Sequence, residues 1–434
     1  MAQDRESKDE MVERLTRQFR ELLKKKLPDE PGTLEEIERV TEEIGSEIKR
    51  EIEDECLDWH GSGYCGTQIR CSCGGVSKFK NYNRKRLVSL CGETSISRAY
   101  YHCSSCGKGY VPVDIKLGLT SGCTSIGVRK KVARLGAWVP FGEVSLELGE
   151  LCGIHLSSNT AWRIAEMVGE RIRQERSDRE NVVLSGNVKC PDVSVERLYV
   201  GIDGVHVPLC DGSYREAKSG IVYQTQERDG KTVIVDAQYM ATLERTEAFG
   251  DSVYALAFDC GVETANDVAC LGDGAAWIWK SFSYHYPDAV QILDCYHAYE
   301  HLGAVARTWY ADDPDRARCW LESRKTDLLS DGVETVIRSI RSWQPTDEDA
   351  KEIRQREIAY FQKNKARMMY ATLKANGYHI GSGLVESACK TVVTQRLKQS
   401  GMRWSERGAE TMMHLRSHLL SNRNDDLSTY ARAA

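Results

Sequence analysis

The stretch Leu198 to Val207, Leu-Tyr-Val-Gly-Ile-Asp-Gly-Val-His-Val, limits the fold most tightly. An apolar run so rich in β-branched residues reads as a buried strand. It carries one carboxylate, Asp203, and a charge inside such a strand is costly unless something compensates it. The plain alternative is a strand that stops at an Asp203-Gly204 turn. Two later segments weigh against that alternative. Leu271-Gly272-Asp273-Gly274-Ala275 puts a second carboxylate after the short apolar strand Asp267 to Cys270. Gly381-Ser382-Gly383-Leu384-Val385-Glu386 puts a third at the start of a helix. Taken separately, Asp273-Gly274 also reads as a turn, and Glu386, four residues before Lys390, as half of a surface ion pair. Asp294 and His297 lie one turn apart at a strand-to-helix junction. They read either as a helix cap with a buried histidine or as an accessory pair beside the carboxylates.

The spacing around these residues predicts a sheet. Ala217 to Thr225 and Lys231 to Met240 are strands, with hairpin turns at Asp211-Gly212 and Asp229-Gly230. A helix over Leu243 to Phe258, a fourth strand ending at Asp273 and a fifth over Ala289 to Leu293 follow. Three antiparallel strands followed by alternating helix and strand are the order of a ribonuclease H-like domain. Leu302 to Tyr378 is helical in pattern and too long for a loop, so it reads as a helical insertion.

Three carboxylates that converge would protonate or splay apart without cations. Two of them about 4 Å apart repel by roughly 4 kcal/mol at an effective dielectric near 20. Oxygen-only ligands favour Mg²⁺ or Mn²⁺. A two-metal site of this kind, with Asp203 bridging and Asp273 and Glu386 completing it, cuts phosphodiesters.

Upstream, Cys71-Ser72-Cys73-Gly74-Gly75 and Cys103-Ser104-Ser105-Cys106-Gly107 bracket two strands, a zinc-ribbon-like arrangement in which four thiolates hold structural Zn²⁺. The first knuckle has one residue between its cysteines, so Cys65 or His102 is an alternative ligand. The chain has 16 cysteines, but its length and paired spacings favour reduced thiols over a disulfide scaffold.

Phe141 to Gly153, followed by Ser157, Ser158 and a helix from Thr160, has helix-turn-helix spacing and would present Arg163 to DNA. A helical hairpin without DNA is the other reading. Lys390, Arg396, Lys398, Arg403 and Arg407 form a basic stripe suited to a phosphate backbone, or else a solvated face. The net charge of −5 means that any DNA contact must come from such local patches. Two amphipathic helices before Glu55 read as a hairpin packed on its own chain or as an oligomerisation arm. The N-terminus has no signal-peptide pattern and no apolar run spans a membrane, so a cytoplasmic, nucleoid-associated protein is expected.

The expected organisation is α+β and multidomain. A charged helical arm over 1–60 precedes a zinc-ribbon-like module over 61–115, a helix-turn-helix region over 116–176 and a linker over 177–196. The ribonuclease H-like core occupies 197–302 and 379–423, with the helical insertion over 303–378 and a tail over 424–434.

At these motifs the chain resembles the DDE transposases of bacterial insertion sequences in the ISKra group, relatives of the Mutator-like enzymes. The resemblance rests on Tyr199 to Gly204, Gly272 to Ala275, Asp294-Cys295-Tyr296-His297, Gly381 to Ser387 and Gly401-Met402-Arg403-Trp404-Ser405. It extends upstream through Arg98 to Cys103 and Cys106-Gly107, and covers about Cys71 to Arg423. It implies cleavage at transposon ends and strand transfer into target DNA by an oligomer of the chain. It also implies Asp203, Asp273 and Glu386 as the catalytic triad, with Asp294 and His297 accessory. The sequence departs from the family at Cys71-x-Cys73, where Cys-x-x-Cys is usual. A nuclease that cannot join strands is a second reading; a DNA-binding regulator derived from a transposase is a third, and the intact triad argues against it.

Overall fold

A computed structural model describes residues 7–30, 32–119, 122–229, 231–381, 388–422 and 427–432. They divide into two compact units, with the division at Val168 and Gly169.

The first unit begins with two helices, α1 (Lys8–Lys26) and α2 (Leu34–His60), each started by a capping box: Ser7 with Glu10, and Thr33 with Glu36. They pair as a hairpin, because Leu15, Leu22 and Ile44 are buried and Arg14 bonds Glu55. An antiparallel sheet follows, in the order β1 (Gln68–Arg70), β2 (Val76–Ser89), β3 (Gly92–Cys103) and β4 (Gly109–Tyr110). After α3 (Pro112–Lys116), three helices pack together: α4 (Ile126–Gly136), α5 (Phe141–Cys152) and α6 (Ser158–Leu184). Val128, Val132, Val144, Leu148, Ile154 and Ile164 share their core. Gly153, at φ 61°, turns the chain out of α5, and the Ser157 hydroxyl accepts the Thr160 N–H to start α6. The expected tail belongs to this unit. Ser428–Ala431 is a helical turn against α4, where the buried Arg129 donates to the Ala431 carbonyl at 3.3 Å.

The second unit is built on a five-stranded sheet in the order β7-β6-β5-β8-β9. Its strands are β5 (Val195–Pro208), β6 (Tyr214–Arg228), β7 (Lys231–Thr242), β8 (Ala265–Gly272) and β9 (Val290–Leu293). The first three are antiparallel, and β5, β8 and β9 are parallel. β5 is central and buried from Leu198 to Ile202. It does not turn at Asp203-Gly204, because Asp203 pairs with Ser219 and the ladder continues to Pro208.

Helices α7 (Thr246–Asp259) and α8 (Ala276–His285) flank the sheet. Then come α9 (Cys295–Trp309), α10 (Pro314–Leu329), α11 (Val333–Ser342), α12 (Glu348–Asn364) and α13 (Tyr370–Ala375). This helical stretch is not a separate body. Trp320, Val336, Ile340 and Phe361 join the same hydrophobic core as Val200, Leu271 and Ile292 of the sheet.

Two expectations need correction. The linker over 177–196 is helical as far as Leu184. Its polar residues have tertiary partners: Arg179 pairs with Asp259 at 2.5 Å, Glu180 accepts from Ser252 at 2.5 Å, and Val183 is buried. Without an apolar stripe that helix has no periodic signal. The basic stripe is likewise not one helix. A π-helical turn over Lys390–Thr394 leads into Gln395–Leu397, and a loop separates these from the next helix, Glu406–Ser421. Gly169 of α6 lies against that helix, where a Cβ would come within 2.2 Å of the Thr411 carbonyl oxygen. Among the described residues no helix is long and apolar enough to cross a membrane.

Candidate active site and cysteine cluster

Strand register brings the first carboxylates together. Two residues beyond the Gly201–Leu271 pair stand Asp203 and Asp273; one residue beyond the Gly272–Leu293 pair stand Asp273 and Asp294. The three aspartates are therefore level at one edge of the parallel strands, where neighbouring chains run about 4.8 Å apart.

Each is fixed differently. Asp203 is partly buried; burial raises its pKa first, the charge of Asp273 adds to this, and the Gly204 N–H at 2.7 Å opposes it. Asp273 accepts the Ala275 N–H at 2.8 Å, closing a tight turn over Gly274 at φ 103°. A side chain at Gly274 would also meet the Tyr360 ring at 2.8 Å. Asp294 is buried, caps α9 by accepting the Tyr296 N–H at 2.9 Å, and donates its own N–H to Gly272. His297 Nε2 lies 3.7 Å from Asp294 Oδ2, and its Nδ1 lies 3.4 Å from Glu300. Asp294 is thus the helix cap at this junction, and His297 beside it is partly exposed rather than buried.

Glu386 lies outside the described residues. The chain on either side of it is anchored at the aspartates. The Cys295 N–H, next to Asp294, donates to the Ile380 carbonyl at 3.3 Å. Three residues after Glu386, the buried Cys389 thiol lies beside the Asp203 carboxylate, whose charge raises its pKa further after burial does. Sequence reasoning missed Cys389, and also Tyr360, whose hydroxyl donates to the Asp273 carbonyl at 3.1 Å. Neither stands in a pattern that marks it.

Of the residues expected to meet DNA, Arg163 is exposed on α6, and Lys390, Lys398, Arg403 and Arg407 are exposed in the second unit. Arg396 is not: it is fully buried, with its guanidinium 4.9 Å from the Trp404 ring centre and Nη1 2.9 Å from Met402 Sδ. Burial draws its pKa down to about 10. It holds the loop after the π-helical turn and cannot reach a phosphate backbone. Arg416, also buried, donates to the Val392 carbonyl at 2.7 Å and to that of Thr391, answering carbonyls within the π-helical turn.

In the first unit the sulfurs of Cys71, Cys73, Cys103 and Cys106 lie within 4.8 Å of one another. Cys71 and Cys106 are 3.6 Å apart, and Cys73 and Cys103 3.7 Å. Four sulfurs about 2.3 Å from a tetrahedral ion stand about 3.8 Å apart, so the group fits a bound metal. The short first knuckle closes as the second does: Gly74 N–H returns to the Cys71 carbonyl and Gly107 N–H to that of Cys103. The Cys71 thiol is drawn down to about 6, first by the Cys73 N–H, which favours the thiolate form that binds metal. Cys65 is not a member; its thiol faces the Gly63 carbonyl at 3.3 Å. Nor is His102.

No curated protein matches this chain. Over residues 77–424 it matches the family described as "Uncharacterised protein family (UPF0236)". The chain belongs to that family.

Proposed function

We propose that this chain is a DDE transposase of a bacterial insertion sequence, cleaving DNA at element ends and joining them to target DNA. The observation that carries this reading is the pair Asp203 and Asp273, level on adjacent parallel strands, with burial and mutual charge raising Asp203. A sheet ordered β7-β6-β5-β8-β9, with its first three strands antiparallel, has the strand order of a ribonuclease H-like domain and supports the same reading.

The donor set fits a hard divalent cation: all-oxygen, anionic and partly withdrawn from water. Asp203, Asp273 and Glu386 would hold Mg²⁺ or Mn²⁺, which polarise the phosphodiester and stabilise the leaving oxygen. The chain's own residues do the rest. Gly204 and Ala275 N–H groups orient two carboxylates, and Asp294 fixes the start of α9 beside them. The exposed Lys390, Lys398, Arg403 and Arg407 neutralise phosphates, and Arg163 contacts element ends from α6. DNA is the partner, bound by a homo-oligomer of the chain within the nucleoid. The four cysteines hold Zn²⁺ in a structural role.

The test uses DNA flanking this gene as substrate, with Mg²⁺ or Mn²⁺. Cleavage at the element ends, and joining of a pre-cleaved 3′-hydroxyl end to a plasmid, are expected. Cleavage without joining would make the chain a nuclease, and binding without either would make it a regulator.

A further inference from the structure

Three histidines stand near the aspartate edge, and their ring nitrogens meet different partners. His297 lies between acids at both nitrogens. His379 is largely withdrawn from water; burial lowers its pKa first, and Asp294 opposes this. His301, one turn further along α9, is held at one nitrogen and open at the other. Its Nδ1 lies 2.5 Å from Glu357 Oε2, while the side chain keeps 31% of its exposure. Among the described residues no hydrogen bond engages its Nε2.

The support behind His301 is rigid. Glu357 of α12 is 0% exposed, and its other oxygen accepts from Arg356 Nε at 2.8 Å. Tyr360, one turn on, stacks on the imidazole with ring centres 3.5 Å apart and planes 18° apart. The Tyr360 hydroxyl then reaches the Asp273 carbonyl. A single aromatic side chain thus links the imidazole to the carboxylate edge. A carboxylate buried this completely is costly unless its pairing serves a purpose. Here it meets Nδ1, and with the proton on that nitrogen the Nε2 lone pair is left uncommitted. That is how a histidine is prepared to accept a proton.

We infer that His301, positioned by Glu357, accepts the proton of the hydroxyl that attacks phosphorus. This rests on the phosphoryl-transfer reading above. A lone pair of the attacking oxygen, from water in cleavage or a DNA 3′-hydroxyl in joining, forms the new P–O bond. Its proton moves to His301 Nε2, the P–O3′ bond breaks, and the departing 3′-oxygen takes a proton from solvent. Glu357 stays ionised and stabilises the imidazolium; it and Tyr360 are positioning residues. Among the described residues, Glu357 and Tyr360 of α12 contact the imidazole, with Arg356 on the far oxygen of Glu357 and Asp273 beyond Tyr360. The α10 residue Lys325 sits over Tyr299 instead, 5.3 Å from its ring centre.

The experiment follows nicking of supercoiled plasmid carrying this gene with its flanking DNA, in MgCl₂ or MnCl₂, across pH. Wild type should show a rate that rises with pH through one ionisation. His301→Gln should lose that rise and fall about a hundredfold or more. Glu357→Gln should fall less, and Glu357→Asp should recover part of that loss. In metal-free protein, ¹⁵N-edited spectra should show a downfield His301 Nδ1 proton in wild type and none in Glu357→Gln. Wild-type rate and profile in His301→Gln would overturn the inference while leaving the phosphoryl-transfer reading intact. If His301→Gln does not fold, a wild-type rate in Glu357→Gln, or no such proton in wild type, overturns it equally. A wild type that nicks no DNA with either metal overturns the reading and the inference together.

Discussion

The cysteine cluster and the aspartate edge are both metal-binding candidates, and they are built in opposite ways. Each cysteine pair comes from one tight turn, and the sulfurs already stand at the spacing a bound ion would impose. The carboxylates come from separate strands and stay apart. Among the described residues no second group of three or more ligand atoms gathers so closely. Thiols tolerate proximity because they share protons and can be neutral, whereas level carboxylates repel. A closed, pre-gathered site suits structure, and an open edge leaves coordination positions for substrate. The comparison therefore separates a geometry suited to stabilising from one suited to reacting.

The largest expected effect lies at the aspartate edge. Asp203→Asn should reduce strand cleavage by roughly 10⁴-fold or more, about 5.5 kcal/mol in barrier, while DNA binding persists. Stability should move the other way. The folded pKa of Asp203 is raised, so metal-free wild type binds this proton more tightly folded than unfolded. Its stability falls as pH rises from the ordinary carboxylate range through the raised value. Asp203→Asn should remove that loss, and melting in chelator across pH 3 to 7 reads it. Near-wild-type cleavage by this variant would break the comparison.

At the other site, elemental analysis should find about one zinc per chain, lost in Cys71→Ser. That variant, or wild type stripped by chelator, should melt about 5 °C lower or more, with protease cuts between β1 and β4. A metal-free chain with unchanged melting would show that the thiols need no ion.

The basic residues sharpen the contrast on a smaller scale. Arg396→Met should cost about 2 kcal/mol of stability, since it removes a buried, stacked guanidinium, and urea unfolding measures this. Lys398→Ala should leave unfolding unchanged and weaken DNA binding a few-fold, lowering the salt slope by about one. Arg163→Ala should do the same for element ends but not for random DNA. If Arg396→Met alone altered the salt slope, the division between buried and exposed cations would fail.

Much of this was legible because it is local. The strand bearing Asp203, the turns at Gly153 and Gly212, and the two knuckles each announce themselves within ten residues. The two amphipathic helices of the arm were legible from their apolar stripes, whereas their capping boxes at Ser7 and Thr33 went unread. What escaped depends on distant partners. The helix over Ser177–Leu184 carries no apolar stripe and finds its contacts on α7, at Ser252 and Asp259. Arg396 reads as one more surface cation until Trp404 and Met402 fold over it. His301 and Glu357 stand 56 positions apart, and nothing between them signals the pairing. Glu386 was read from a glycine-flanked motif and lies outside the described residues; of its flanks, Ile380 bonds Cys295 next to Asp294, and Cys389 lies beside Asp203.

Ser428–Ala431 closes against α4, although about three hundred residues are translated between them. The ribosome has built the whole sheet before Ala431 exists. Until then Arg129 lacks that carbonyl, and Lys130 lacks the Ser428 hydroxyl it meets at 3.1 Å. The part of the chain made first is thus the part finished last. A chain that stopped at Asn422 would have its sheet complete and its N-terminal unit without this turn.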